Sequence, residues 1–225
     1  MQMMESPDAQ KNILFYVQAG FILVLDILRY DIFVDPLNRL VNKLSEGTYS
    51  FLGDFLAILF AICALYLLLK YEGKSYFRLS FTRKAIGRFF LAFAALFVWS
   101  FLVANLFPIS SNQEAINEAI SSTNWWDSHA LPIMMMLAGP ICEELIYRGL
   151  ATSLCQKWPV LGLDLLIPAA LFGVLHLDLG QGFIWTDFLQ YFGAGLILGL
   201  YLKKSQSIYY PIALHIAWNS FVYLV

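Results

Sequence analysis

Apolar residues in this chain come in long unbroken runs rather than in the two-residue alternation of a half-buried strand. Seven runs are legible, at 13–33, 51–70, 86–107, 131–154, 160–177, 183–202 and 207–225. Each is close to the roughly 20 residues that a helix needs to cross a hydrocarbon layer about 30 Å thick. The pattern predicts an all-α, polytopic transmembrane helical bundle of about seven spans. The first run is the weakest, because Asp26, Arg29 and Asp31 interrupt its second half. An amphipathic helix lying at the interface is the alternative there.

Composition sharpens the picture. Of 225 residues, 60% are hydrophobic and 13% charged, whereas a soluble domain carries roughly a quarter charged residues. Too little polar sequence remains to cover a soluble core. The chain therefore reads as a single membrane domain over 1–225. Residues 1–130 supply N-terminal spans and loops, and residues 131–225 a core of helices that carries the chemistry. The polar stretch 1–11 precedes an apolar run with no small-residue cleavage site, so the first helix is expected to stay as an anchor. A net charge of −2 leaves no basic footprint for nucleic acid. Cys63, Cys142 and Cys155 lie within apolar runs at no metal-binding spacing and read as small buried hydrophobes.

Basic residues orient the bundle. Lys70, Lys74, Arg78, Arg83, Lys84 and Arg88 crowd the connection between the second and third runs. The connection 108–130 holds Glu114, Glu118 and Asp127 but no Lys or Arg. The positive-inside rule puts the first loop in the cytoplasm and the second outside. Lys157, Lys203 and Lys204 then also fall inside, while Arg39 and Lys43 fall outside, against the rule. Trp125 and Trp126 suit an outer interfacial belt. Gly193, Gly195 and Gly199 predict that the sixth run packs closely on a neighbour.

Ionisable residues within a span are costly and are read first as functional. The fourth run contains Gly139-Pro140-Ile141-Cys142-Glu143-Glu144-Leu145-Ile146-Tyr147-Arg148-Gly149. Glu144 and Arg148 are four apart, share a helix face and can pair. Glu143 points elsewhere and lacks that partner. A carboxylate without a counter-ion in low dielectric is suited to general-base work near neutrality. Pro140 interrupts the backbone hydrogen bonding just upstream, and such irregularity at depth lines a cavity. The bland reading is a structural salt bridge with its charges snorkelling at a span end, which needs one carboxylate and not two.

His176 follows Phe172 by four positions on the fifth run, and Asn219 follows His215 by four on the last. That spacing stacks each pair on one helix face. His215 and Asn219 can both donate toward a common point, as an oxyanion requires; helix–helix hydrogen bonding is the bland reading. A histidine at the end of a span is ordinarily a hydrogen-bonded terminus. Together, Glu143, Glu144, Arg148, His176, His215 and Asn219 are one another's best partners in otherwise apolar spans, which predicts one shared polar intramembrane cavity.

The set Glu143-Glu144-x-x-x-Arg148, Phe172-x-x-x-His176 and His215-x-x-x-Asn219 resembles the CPBP family of intramembrane proteases. That family includes the CAAX prenyl endopeptidase of the Rce1 type and bacterial relatives linked to bacteriocin processing or self-immunity. The resemblance covers 131–225, and the order and spacing of the motifs make the set specific. It implies an endopeptidase in which Glu143 and His176 activate a water. His215 and Asn219 then stabilise the oxyanion, Arg148 holds Glu144, and Phe172 supports the site. It implies no cofactor, a peptide or membrane-protein substrate, and an integral multi-pass protein of the bacterial cytoplasmic membrane. Glu143 falls toward the inner side and His176 toward the outer side of the expected spans, so the assignment requires tilt or kinks near Pro140 and Pro168. Zinc is the first alternative, since two histidines and two glutamates can ligate it. Against it, no His-Glu-x-x-His pair exists and Arg148 would sit beside the cation. A catalytically silent binding or immunity protein is the second, a proton-relay transporter the third.

Overall fold

Every one of the seven apolar runs carries a helix. The computed structural model describes residues 7–44, 46–71, 77–79, 82–107, 133–156, 162–177 and 183–224. The expectations for the 108–130 connection, Trp125 and Trp126, Lys74 and Lys157 lie outside the described residues. Eight helices follow one another with no strand among the described residues. They are α1 (Pro7–Ile27), α2 (Asp35–Leu40), α3 (Glu46–Tyr71), α4 (Arg83–Leu106), α5 (134–155), α6 (Leu163–Leu175), α7 (Trp185–Ser205) and α8 (Tyr209–Leu224). The chain is an all-α helical membrane protein.

The first run is neither a straight span nor a flat surface helix. Its two halves, Ile13–Ile27 and Tyr30–Leu40, meet at 73°, with Asp26 and Arg29 at the bend. Asp26 is 2% exposed, and both its backbone carbonyl and its carboxylate accept from Arg29 Nη1, at 2.9 and 3.3 Å. Two of the three charges that interrupt the apolar pattern, Asp26 and Arg29, are thus turned inward and paired, whereas Asp31 is exposed.

By length and composition, Thr48–Tyr71 and Arg83–Leu106 are able to cross a membrane, and the bent pair is a third if counted as one span. Among the described residues the expected count of about seven is not reached by this measure. Helix α6 has 13 residues, about 20 Å at a rise of about 1.5 Å each, which falls short of the hydrocarbon thickness. Helix α8 has 16, α7 carries Asp187, Lys203 and Lys204, and α5 alternates between two windings. Toward the surface, α3 and α4 present Phe55, Ile62, Tyr66, Phe90, Leu91, Val98 and Phe101, the face expected against lipid tails.

The main core surrounds α5, whose Leu145, Ile146, Tyr147, Leu150 and Ala151 pack with Phe15 and Ala19 of α1, Ala64 and Leu68 of α3, and Phe172 of α6. A second cluster joins Leu96 of α4, Leu198 and Tyr201 of α7 and Leu214 of α8. Helix α4 starts at Thr82, whose side chain accepts from the Ala85 amide at 3.1 Å, a regular N-cap. Among the described residues, three hydrogen bonds dock it on α7. Trp99 Nε1 donates to the Gln190 carbonyl at 3.1 Å, Gln190 Nε2 to Ser100 Oγ at 2.7 Å, and Arg88 Nη1 to the Lys204 carbonyl at 2.7 Å.

The small residues of the sixth run do what their spacing predicts. A Cβ at Gly195 would lie 3.0 Å from the Ala169 Cα, one at Gly199 2.6 Å from Leu165 Cδ1, and one at Gly193 would overlap the Trp99 indole. Helix α7 is thus wedged between α4 and α6. Replacing Gly195 by Leu should lower stability in detergent by about 1–3 kcal/mol through overpacking. Gly87→Ala, where a Cβ meets nothing within 4 Å, should cause no loss. Thermal unfolding of the purified variants measures both.

Candidate active site

Helix α5 changes winding where its carboxylates sit. Met134–Ala138 and Glu144–Ala151 are π-helical, and Gly139–Glu143 between them is α-helical. Wider turns of this kind are frequent at functional sites. Pro140, buried in the first turn of the α-helical piece, has no N–H to give to a regular ladder. All eight residues Glu144–Ala151 are buried.

At the centre is one oxygen, Glu144 Oε1. Arg148 Nη1 lies 3.2 Å from it and His215 Nδ1 2.9 Å. Glu144 and Arg148 are 0% and 1% exposed, so neither charge is shared with solvent. An ionised carboxylate only accepts, so His215 Nδ1 carries a hydrogen. The other ring nitrogen, Nε2, is 3.7 Å from Glu143 Oε2. Glu143 therefore faces two histidines, because its Oε1 is 4.0 Å from His176 Nε2. His176 Nδ1 stands 2.8 Å from the Phe172 carbonyl oxygen. A carbonyl also only accepts, which puts the hydrogen on Nδ1 and leaves Nε2 of the neutral ring as an acceptor toward Glu143.

Phe172 is the hub of these contacts. Its ring touches His176 edge-on at 4.7 Å and His215 at 5.8 Å, and carries the Arg148 guanidinium 3.9 Å above its centre. Asn219 sits one turn beyond His215 on α8 and is half-buried. The expected opposition in depth between Glu143 and His176 is corrected here, since they lie within one contact of each other. The reason is the shortness of α6. Its chain ends at His176 after 13 residues, so that residue does not reach the far side of a bilayer.

Glu143 also borders a cavity of about 140 Å³, lined in addition by Asp26, Arg29, Asp54, Cys142 and Ile146. Its side chain is 23% exposed, and its Oε2 makes no hydrogen bond among the described residues. The two adjacent glutamates therefore have unlike surroundings. Glu144 is fully enclosed, with Arg148 and His215 both on its Oε1 and no hydrogen bond to its Oε2 among the described residues, and Glu143 borders a small chamber. Among the described residues, no three His, Cys, Asp or Glu side chains are grouped so as to hold a metal ion.

Sequence reasoning passed over Asp26, Arg29 and Asp54 as parts of this wall, and Tyr147 and Tyr191 as neighbours of the site. Tyr147, 0% exposed, donates its hydroxyl to Asp26 Oδ2 at 2.8 Å and so ties α5 to the bend after α1. Tyr191 stacks on His176 with ring centres 3.7 Å apart. The signal for the acids and Arg29 was present, since charges inside apolar runs are costly without a partner. No sequence signal marked the tyrosines.

Fold and site together define a helical membrane protein with a buried Glu/His/Arg cluster. Residues 125–221 match the family model described as type II CAAX prenyl endopeptidase Rce1-like, and every motif residue named above falls inside that stretch. At the level of the family, the likeness is to membrane proteases of the CAAX type. Over 147 residues, 63% of this chain, the sequence is 26% identical to a curated Bacillus subtilis (strain 168) protein named "Putative membrane peptidase YdiL". The chain spans about half the length of that relative, 54% of it. No solved structure matches the chain significantly.

Arg148→Ala should destabilise the protein by about 3–5 kcal/mol, because it leaves the Glu144 carboxylate buried without its guanidinium partner. Tyr147→Phe should cost about 1–3 kcal/mol by removing one donor from buried Asp26. Denaturation of the purified variants in detergent checks both.

Proposed function

We propose that this protein is an intramembrane endopeptidase that hydrolyses peptide bonds with water activated by Glu143 and His176. The observation that carries the reading is the pair of acceptors, Glu143 Oε1 and His176 Nε2, held 4.0 Å apart with Glu143 at the edge of a cavity that also holds Asp26, Arg29 and Asp54. That separation is too long for a direct hydrogen bond, but a water can donate one O–H to each at ordinary lengths. Glu143 takes a proton from this water as its oxygen attacks the scissile carbonyl carbon. His176 relays the proton to the leaving amine as the C–N bond breaks.

Negative charge that collects on the carbonyl oxygen needs donors. His215 and Asn219, one turn apart on α8, are assigned that task. Donation from His215 Nε2 requires the doubly protonated ring. Glu144 at 2.9 Å from Nδ1 and Glu143 at 3.7 Å from Nε2 supply its counter-charge. Arg148 and Phe172 hold Glu144 and the two imidazoles in register. In this reading residues 131–225 are the catalytic core, and residues 1–130 contribute spans and the far wall of the cavity. The substrate is a peptide or membrane protein, and the membrane is the bacterial cytoplasmic membrane, in keeping with the Bacillus relative. No metal or cofactor takes part in the scheme. Zinc held by the histidines and glutamates, or a silent binding or immunity protein, are the readings it competes with.

Glu143→Gln and His176→Ala should each abolish cleavage in reconstituted vesicles without changing the unfolding temperature. His215→Ala and Asn219→Ala should each lower the rate by roughly 10²–10³-fold, the loss that follows removal of one oxyanion donor. Substrates for the assay come from comparing the membrane proteomes of cells carrying wild type and Glu143→Gln. Wild-type turnover in Glu143→Gln would end the proteolytic reading, and activity lost in a strong chelator and restored by zinc would replace it with the metal one.

A further inference from the structure

We infer that Tyr191 is a positioning residue for hydrolysis, holding His176 by its face and favouring the imidazolium that forms during proton relay. The inference rests on the reading of Glu143 and His176 as the hydrolytic pair. It concerns a side chain on α7, which carries none of the motif residues.

The geometry is specific. The Tyr191 and His176 rings are 9° from parallel with centres 3.7 Å apart, so they overlie one another almost completely. Two neutral aromatic rings avoid that arrangement, because each presents its electron-rich face to the other. They prefer offset or edge-on contacts with centres about 4.5–7 Å apart. The other aromatic neighbours here obey this rule, with Phe172 meeting His176 edge-on at 68° and Tyr191 at 76°. A cation over a phenol face is attracted to it, and more strongly out of water. Full overlap is thus the arrangement suited to a charged imidazole.

The rest of the surroundings divide, some favouring the charged ring and some opposing it. The hydrogen on His176 Nδ1 points at the Phe172 carbonyl, 2.8 Å away, in the charged ring as in the neutral one. His176 also lies at the C-terminal end of α6, where free carbonyls favour a cation. Of the charged or titratable groups facing it, Glu143 at 4.0 Å is the counter-ion, while burial and the neighbouring Arg148 and His215 oppose the charge, which is the cost a π face beneath the ring would offset. Tyr191 is held in place by helix packing. Phe188, Tyr191, Gly195 and Gly199 recur at helical spacing along the stripe of α7 that meets α6, with Phe188 against Gly173 and Gly195 against Ala169.

The proton balance is explicit. Glu143, protonated by the attacking water, gives that proton to His176 Nε2 and is again a carboxylate. The imidazolium then gives it to the departing nitrogen as the C–N bond breaks, and the ring returns to neutral. Tyr191 makes and breaks no bond. It lowers the cost of the intermediate charge.

The test replaces Tyr191 by Phe and by mono-, di- and trifluorinated phenylalanines, which keep the ring while draining charge from its face. Wild type and Glu143→Gln run in the same vesicle assay. Tyr191→Phe should retain kcat within about threefold, successive fluorines should lower it stepwise, and Tyr191→Leu should lower it by about tenfold, each with KM unchanged. A flat fluorine series, or losses that appear in KM alone, would overturn the inference while leaving Glu143-dependent cleavage intact. A Glu143→Gln variant as active as wild type would overturn the inference together with the reading beneath it.

Discussion

The structure depends on burying one negative charge. Glu144 is enclosed on α5, away from water, and its carboxylate is tolerable only because Arg148 and His215 converge on the same oxygen at 3.2 and 2.9 Å. Arg148 comes from the next turn of α5, so local helix geometry supplies that half of the compensation. His215 comes from α8, 71 positions away in sequence, so the other half exists only when the helices assemble. A paired charge at this depth works as a registration device as well as an energetic term, because no sliding of α8 along α5 preserves the contact.

That constraint separates the roles of two adjacent carboxylates. Glu144 uses its charge to hold helices together. Glu143, one residue earlier, is turned toward both imidazoles and toward a cavity whose opposite wall comes from Asp26, Arg29, Asp54 and Ala57 of the N-terminal helices. Those wall residues lie outside the 125–221 stretch that matches the family model. The motif-bearing half thus holds the Glu/His/Arg cluster, and the first half supplies the facing wall of the cavity. Tyr147 joins the two parts by its bond to Asp26.

Depth is set by helix length rather than by apolar content. A run that reads as a full span at 160–177 yields a helix of 13 residues, and His176 at its end therefore meets Glu143 instead of the opposite interface. The π-helical turns of α5 have a related effect. They rotate successive side chains relative to a regular helix, and Glu144–Ala151 is enclosed on all sides by neighbours rather than on one face.

Sequence alone determined the helical class, the membrane setting and the Glu144–Arg148 pair, because each follows from local pattern. Long apolar runs need a bilayer, and residues four apart share a helix face. It also determined that α7 would pack closely, since Gly193, Gly195 and Gly199 leave no side chain to hold neighbours away. Tertiary structure decided what joins distant segments. It set His215 on Glu144, Tyr191 on His176, Asp26 under Tyr147, and the inward turn of a charged first run that the pattern made ambiguous. Such contacts depend on where helices bend and end, and those positions follow from packing summed over the whole bundle, which no window of the sequence contains.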